Sequence, residues 1–240
     1  MSAASLDAYL VPGTSTTYYI PEFITEDEEE YLIRKKHLSL GGSGYKIADI
    51  IGRIRALGVF KDSAHGEPNH IIMNEYAPGQ GIMPHEDGPA YHPVVATLSL
   101  GSHAVFNYYR YKPDTDASPL PGVQISAPNE PISSTGRPID PTPVLAVLLE
   151  PRSLVITTSA LYVSHLHGID GLLEDKFEED GRPPQERIAN YDLLRGAAER
   201  AAIANGSILE RGLRYSLTCR DVEKVAAMGG ALFKRLRGTV

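Results

Sequence analysis

HIIMNEYAPGQGIMPHEDGPAYHPVVATLSLGSHAVFNYYRY, running from His70 to Tyr111, is the stretch that decides the fold. Its segments HIIMNEY, VVATLSL and AVFNYYRY are short, rich in β-branched and aromatic residues, and separated by turn residues such as Ala-Pro-Gly after Tyr76. Each reads as a strand. Farther along, VLAVLLE, SLVITT, YVSHLHGI and RYSLTCRD repeat the pattern. Many short strands in succession predict a mainly β protein, a sandwich or jelly roll, and not alternating βαβ units.

Upstream of His70 the character differs. TTYYIPEFI reads as an extended entry, and a helix follows, with Thr25 and Glu28 spaced as a capping box. The acidic run Glu26 to Glu30 suits the positive end of that helix and reads as a solvated first turn. The helix is expected to end near His37, before LSLGGSGYK. A second helix, about Ile47 to Leu57, carries apolar residues at Ile47, Ile50, Ile51, Ile54 and Leu57, a helical period. Two stretches interrupt the strands. Residues 112–143 are rich in proline and serine, and residues 171–206 are charged and contain RPPQ, with a helix expected from Gln185 to Ala204. With no internal repeat, both read as insertions on one domain spanning 1–240, its core at about 18–221.

The 240 residues are enough for a sizeable core, and 42% hydrophobic with 22% charged residues is the balance of a soluble globular protein. A net charge of −7 argues against a surface built for broad phosphate binding, though not against a small basic patch. No apolar run approaches the roughly 20 residues of a membrane span. MSAASLDAYLVPG lacks the basic-then-apolar order of a secretory signal. The single cysteine, Cys219, permits neither an internal disulfide nor a cysteine-based zinc cluster. Cytoplasm or nucleus is the expected location.

The chemistry-bearing residues lie in three places. In MPHEDGP, His85 and Asp87 are two apart, so an extended backbone projects both from one face. An imidazole and a carboxylate side by side supply two ligands of the two-histidine, one-carboxylate triad that holds non-haem iron(II) with positions left open. On its own H-x-D occurs by chance in many chains. YVSHLHGI offers His165 and His167 as a third ligand, and spacing does not choose between them. His37, His65, His70, His92 and His103 have no partner at ligand spacing and read as surface or hydrogen-bonded histidines. In RYSLTCRD, Arg214, Ser216, Thr218 and Arg220 share one strand face. That face belongs either in water or inside a barrel mouth, where two guanidiniums can clamp a dicarboxylate. Asn74 and Tyr76 share a face of HIIMNEY and can complete the hydrogen bonding of a small acid.

In order, NEYAPGQGIMPHEDGP, YVSHLHGI and RYSLTCR resemble the signature of the AlkB-type dioxygenases: N-x-Y before H-x-D, a histidine followed by Gly-Ile, and a closing R-x-S-x-T-x-R. IMPHEDGPAYHPVVATLSLGSHAVFNYY and LLEPRSLVI are similar to the sixth AlkB-homologue group. The resemblance covers about Tyr18 to Asp221, apart from the insertions. It implies a double-stranded β-helix, a jelly-roll relative, with iron(II) held by His85, Asp87 and His167, the histidine before Gly-Ile. It also implies 2-oxoglutarate held by Asn74, Tyr76, Arg214, Ser216 and Arg220, and O2 as oxidant. Iron(II), Asp87 and a doubly anionic co-acid sum to a negative charge, so a buried site needs a nearby cation.

The activity so implied is oxidative demethylation of alkylated nucleic acid. The rival readings are a catalytically impaired AlkB-like binding scaffold, a protein hydroxylase or demethylase, and a cupin using the same metal ligands without the co-acid. The arginines of the last strand weigh against the cupin. Between Lys35 and His70, where the family has its nucleotide-recognition lid, the only aromatics are Tyr45 and Phe60, and Arg53 and Arg55 are two apart on a helix. Single-stranded or already exposed methylated bases are therefore the expected partners, in preference to duplex.

Overall fold

The computed structural model describes residues 6–35, 44–113, 137–177 and 188–224. In chain order the elements are β1 (Thr17–Ile20), α1 (Glu26–Lys35), α2 (Gly44–Ala56), β2 (His70–Tyr76), β3 (Ile82–His85), β4 (Tyr91–Leu100), β5 (Ala104–Tyr109), β6 (Leu145–Leu149), β7 (Leu154–Thr158), α3 (Ser159–Ser164), β8 (Leu166–Ile169), β9 (Glu174–Lys176), α4 (Ala197–Ala204), β10 (Ile208–Glu210) and β11 (Arg214–Val222).

The pairing is nested. β5 pairs with β6, β4 with β7, β3 with β8, and β2 with β11, all antiparallel. Further pairing of β4 with β11 and of β5 with β8 closes these hairpin layers into two sheets, ordered β1-β7-β4-β11-β2 and β3-β8-β5-β6. The chain alternates between the sheets as it goes: β2, β3, β4 and β5 on the way out, β6, β7, β8 and β11 on the way back. A long hairpin coiled on itself in this manner is a double-stranded β-helix, as the sequence led us to expect.

Alternation along each strand sets the layers. On β4, Val94, Ala96, Leu98 and Leu100 face outward and pack with Ile20, Ile24, Leu32, Ile50 and Ile54, a core between the larger sheet and the two N-terminal helices. Tyr215, Leu217 and Cys219 of β11 and Leu154 and Ile156 of β7 join it. The opposite faces of these strands turn between the sheets, where Tyr19, Phe106, Tyr108, Val147, Leu149 and Val155 form a second core. Each such fully buried aliphatic or aromatic side chain contributes about 1.5–3 kcal/mol relative to exposure. Tyr19 anchors that core with a polar bond. Its hydroxyl donates to Glu150 Oε2 at 2.6 Å, and the same carboxylate accepts the backbone N–H groups of Arg195 and Gly196, at the start of α4.

Several local expectations change. Of YVSHLHGI, read as a strand, residues 162–164 belong instead to α3, because the chain leaves β7 in the left-handed region at Ser159 (φ 48°) and Ser164 Oγ closes onto the Ala160 carbonyl at 2.6 Å. Only Leu166–Ile169 is strand. The capping box forms, Thr25 N–H to Glu28 Oε2 at 2.8 Å and Glu28 N–H to Thr25 Oγ at 3.3 Å. The acidic run is not merely solvated, however. Glu28 pairs with Arg53 at 2.8 Å, and the buried Glu29 accepts from Arg152 and from the Gly101 N–H. Residues 171–206 are not a plain loop: Glu174–Lys176 pairs with Ile208–Glu210, and Arg211 and His103 hold Asp175 in a buried ion network. Among the described residues of the helix expected from Gln185 to Ala204, there is a 3₁₀ turn at Tyr191–Leu193 and α4, with Leu194 and Gly196 extended between them. The expected helix end near His37, the RPPQ stretch and residues 114–136 lie outside the described residues.

Tyr19→Phe removes a donor from a buried carboxylate. It is expected to lower unfolding free energy by about 1–3 kcal/mol, read as a lower urea midpoint at unchanged slope.

Candidate metal centre

The smaller sheet brings the two histidines together. β3 and β8 pair with His85 directly opposite His167, and their rings lie 4.4 Å apart. Such close strand packing needs Gly168: a Cβ there would meet the Ile82 carbonyl oxygen at 2.9 Å and the Pro84 nitrogen at 3.0 Å. A register shift between Ile82 and His85 turns Met83 out to solvent while Ile82 and His85 both line the space between the sheets. Asp87 lies just past the end of β3. One ligand atom from each of His85, Asp87 and His167 falls within 4.8 Å of the others, and the Asp87 Oδ1 to His167 Nε2 distance is 3.9 Å.

The side chains are poised as donors. His85 Nδ1 lies 2.9 Å from the Met83 carbonyl oxygen, which only accepts, so Nδ1 carries the proton and the Nε2 lone pair is free. Burial pushes the His167 pKa down to about 4, outweighing the pull of the Asp87 charge, so this imidazole is neutral near pH 7 and needs no deprotonation to bind a cation. Phe106 stacks on its ring at 5.2 Å. Asp87 Oδ1 accepts from Arg220, whereas Asp87 Oδ2 is buried with no hydrogen-bond partner. Two imidazoles and a carboxylate with an unmatched oxygen fit a divalent first-row metal. His165, the other candidate, lies just before β8 and accepts from Arg110 Nε at 3.1 Å, outside the cluster.

Around the cluster, Asn74, Tyr76, His85, His167, Arg214, Ser216 and Arg220 line one cavity of about 50 Å³ between the sheets. Register explains it: Arg214 pairs with Tyr76, and Ser216 with Asn74 on one side and Ser99 on the other. The polar face of β11 is therefore inside, not in water. Arg214 is buried, donates to Ser99 Oγ at 2.9 Å and sits over the Tyr76 ring at 5.5 Å, while its Nε has no partner. Burial lowers its pKa to about 10, and the charges acting on it come from Tyr76 and Arg211. Sequence reading missed Ser99, Phe106 and Tyr162. Ser99 continues the inward alternation Val95, Thr97, Ser99 and was legible there. Tyr162, whose pKa burial and the Asp87 charge push up to about 12, comes near the cluster only through α3, which carries no such signal.

The fold and the cluster together define a double-stranded β-helix protein with a candidate metal centre between its sheets. The chain is 33% identical, over 247 aligned positions covering 92% of each protein, to the probable RNA/DNA demethylase ALKBH6 of zebrafish, Danio rerio. It belongs to the AlkB family, in the ALKBH6 group. It is also 46% identical over 48 residues to the uncharacterized protein L905 of Acanthamoeba polyphaga mimivirus, 20% of this chain and 23% of that one. Among solved structures it is similar to OsALKBH1 (TM-score 0.42, 13% identity, 87% of this chain and 99% of that chain). It is likewise similar to a Pseudomonas putida prolyl-4-hydroxylase (TM-score 0.42, 14% identity, 93% and 92%). No protein-family model matches the chain.

Anaerobic iron(II) titration tests the cluster. His167→Ala and Asp87→Ala are expected to abolish tight binding, and His165→Ala to retain it; the reverse pattern for the two histidines would reassign the ligand.

Proposed function

We propose that this protein is an iron(II)- and 2-oxoglutarate-dependent dioxygenase that oxidatively demethylates alkylated nucleic acid. The observation that carries the co-acid is Arg214. A guanidinium buried between two sheets is costly unless a charge answers it, and its hydrogen bond goes to a neutral serine. A carboxylate of 2-oxoglutarate answers it in the bidentate geometry that arginine favours. Ser216, Asn74 and Tyr76 line the same cavity and supply further polar contacts for the acid. His85, Asp87 and His167 would hold the iron.

Iron(II) there, with 2-oxoglutarate and O2, supplies oxidative decarboxylation of the co-acid and hydroxylation of a C–H bond, after which a hydroxylated N-methyl group leaves as formaldehyde. The remaining work belongs to the chain. The His85 tautomer is set by the Met83 carbonyl, and Phe106 fixes the plane of His167. Arg220 orients Asp87 by holding one of its oxygens. The apolar walls Ile82, Val95 and Ile169 keep bulk water from the reacting centre. The name borne by the zebrafish relative supports RNA or DNA as substrate. Nesting of β2 through β11 supports one catalytic domain, and the lone cysteine supports action in cytoplasm or nucleus. No helix among the described residues is long and apolar enough to cross a membrane.

Arg214→Ala is expected to weaken co-substrate binding by about 2–5 kcal/mol, seen as a raised KM for 2-oxoglutarate in succinate formation, with iron affinity kept. An unchanged KM would place the acid elsewhere. Formaldehyde yield from N-methylated oligonucleotides is expected to be higher on single strands than on matched duplexes, since extrusion from a duplex costs a few kcal/mol. Equal yields would refute that preference.

A further inference from the structure

The three middle residues of α3 do different work. Leu161 packs against the core between the sheets, and Val163 stands 66% exposed. Tyr162, between them, is half-buried, and its hydroxyl donates to the carbonyl oxygen of Gly88 at 3.2 Å. We propose that Tyr162 is a positioning residue for the metal: it fixes the backbone next to Asp87 and so sets where that carboxylate stands relative to His85 and His167. The proposal rests on the iron reading of the cluster and adds how one of its ligands is held in place.

Of the three proposed ligands, Asp87 is the one that secondary structure secures least. His85 and His167 sit on β3 and β8 and face each other across a strand pair. Asp87 lies past the end of β3, on the segment 86–90 that leads into β4. The chain turns there at Gly88 in the left-handed region (φ 87°), and the space where a Cβ would stand is open, so packing on that side does not immobilise the peptide. Something else has to.

Three side chains from other parts of the chain reach this segment. Tyr111 donates to the exposed Glu86 carboxylate at 2.8 Å, Arg220 donates to Asp87 Oδ1, and Tyr162 donates to the Gly88 carbonyl. The first two contacts end on side chains, which can turn about their own bonds while the backbone moves beneath them. The third grips backbone, one residue past the ligand.

The chemistry of the contact suits that role. A phenol is protonated near neutral pH, so it donates and the carbonyl accepts. Its ring is rigid and carries the hydroxyl across from α3 at a fixed reach. The base of that reach is itself fixed, by the left-handed turn at Ser159 and by the bond from Ser164 Oγ to the Ala160 carbonyl at 2.6 Å. The same stretch, 159–167, ends on His167. One piece of chain therefore delivers one proposed ligand and secures the backbone of another, and the distance between the two is set through it. Partners that orient metal ligands in this way are typically worth about 10–100-fold in metal affinity.

The test uses the full chain under nitrogen. Iron(II) and, as a spectroscopic probe, cobalt(II) are titrated into the wild type, Tyr162→Phe and Tyr9→Phe, the last a tyrosine of the N-terminal turn that packs on the core beside the helices. Tyr162→Phe keeps the ring and loses only the hydroxyl. It is expected to raise the iron(II) Kd about tenfold, and to shift or weaken the visible cobalt(II) absorption at saturating metal. Cooperative urea unfolding at the wild-type slope certifies that the variant is folded. Tyr9→Phe is expected to match the wild type in Kd and spectrum. The proposal is overturned if Tyr162→Phe keeps the wild-type Kd. It is equally overturned if the Kd rises while the saturated cobalt spectrum stays that of the wild type, the mark of a merely structural loss. A wild type that binds neither metal brings down the iron reading and the proposal with it, whereas a wild type that binds both beside an indistinguishable variant brings down the proposal alone.

Discussion

Strand β11 is buried on both faces, and most of the architecture follows from where that leaves its side chains. It runs antiparallel between β2 and β4, so its backbone is hydrogen-bonded on both edges. Tyr215, Leu217 and Cys219 press against the layer formed by α1 and α2. That turns Arg214, Ser216, Thr218 and Arg220 to the opposite face, and they project between the sheets. A slip of one residue would drive two guanidiniums into the helix-facing core, at a cost no apolar contact there could offset. Register is therefore fixed by charge as well as by hydrophobicity. The same register that hides Tyr215 places Arg214 opposite Tyr76 and Ser216 between Asn74 and Ser99.

The fold was legible where period-2 patterning is strong. VVATLSL, VLAVLLE, SLVITT and RYSLTCRD became strands with ends displaced by a residue or two at most, apart from VVATLSL, whose strand begins three residues earlier at Tyr91. The helices were legible from the capping pair Thr25 and Glu28 and from the isoleucine stripe of α2. What could not be read is what depends on distant partners. Glu29 looks like one more solvated acid until Arg152 and the Gly101 N–H, far along the chain, converge on it. Residues 174–176 have no strand character of their own; Ile208–Glu210 makes them one, and Arg211 holds Asp175 in place. Burial would push the Asp175 pKa up, but Arg211 and His103 outweigh it and hold the carboxyl below its usual range. The turn into α3 defeated the pattern for a related reason: the β-forming Tyr162 and Val163 yield to a left-handed residue at Ser159.

The candidate site divides in the same manner. Two-residue spacing marked both H-x-D and the histidine pair, but choosing His167 over His165 by spacing alone was impossible, because both sit on extended backbone. Strand pairing makes the difference. His167 lies within β8, opposite His85, where Gly168 lets β3 approach, while His165 precedes the paired segment and turns to Arg110. The glycine in His-Gly-Ile thus has a steric reason that the sequence could carry but not explain.

Electrostatics tie the two halves of the site together. Asp87 contributes one negative charge, and Arg214 and Arg220 two positive ones, inside a cavity walled by Ile82, Val95, Phe106 and Ile169. The residues alone are therefore net positive, and a metal ion adds to the excess. Charge of one sign in a medium of low polarity is stable only if a counter-charge arrives with it. A dianion supplies that counter-charge, and an ionised dicarboxylate supplies it at two ends, one for Arg214 and one for the metal. A neutral ligand would leave Arg214 unanswered, and a monoanion would answer only one end. Arg220 bears on the same balance: it holds Asp87 Oδ1 and leaves Oδ2 as the buried oxygen without a hydrogen-bond partner. Loading with the proposed metal and with the proposed co-acid would then be coupled through shared charge, each lowering the electrostatic cost of the other, so the two are expected to bind cooperatively although they touch different residues.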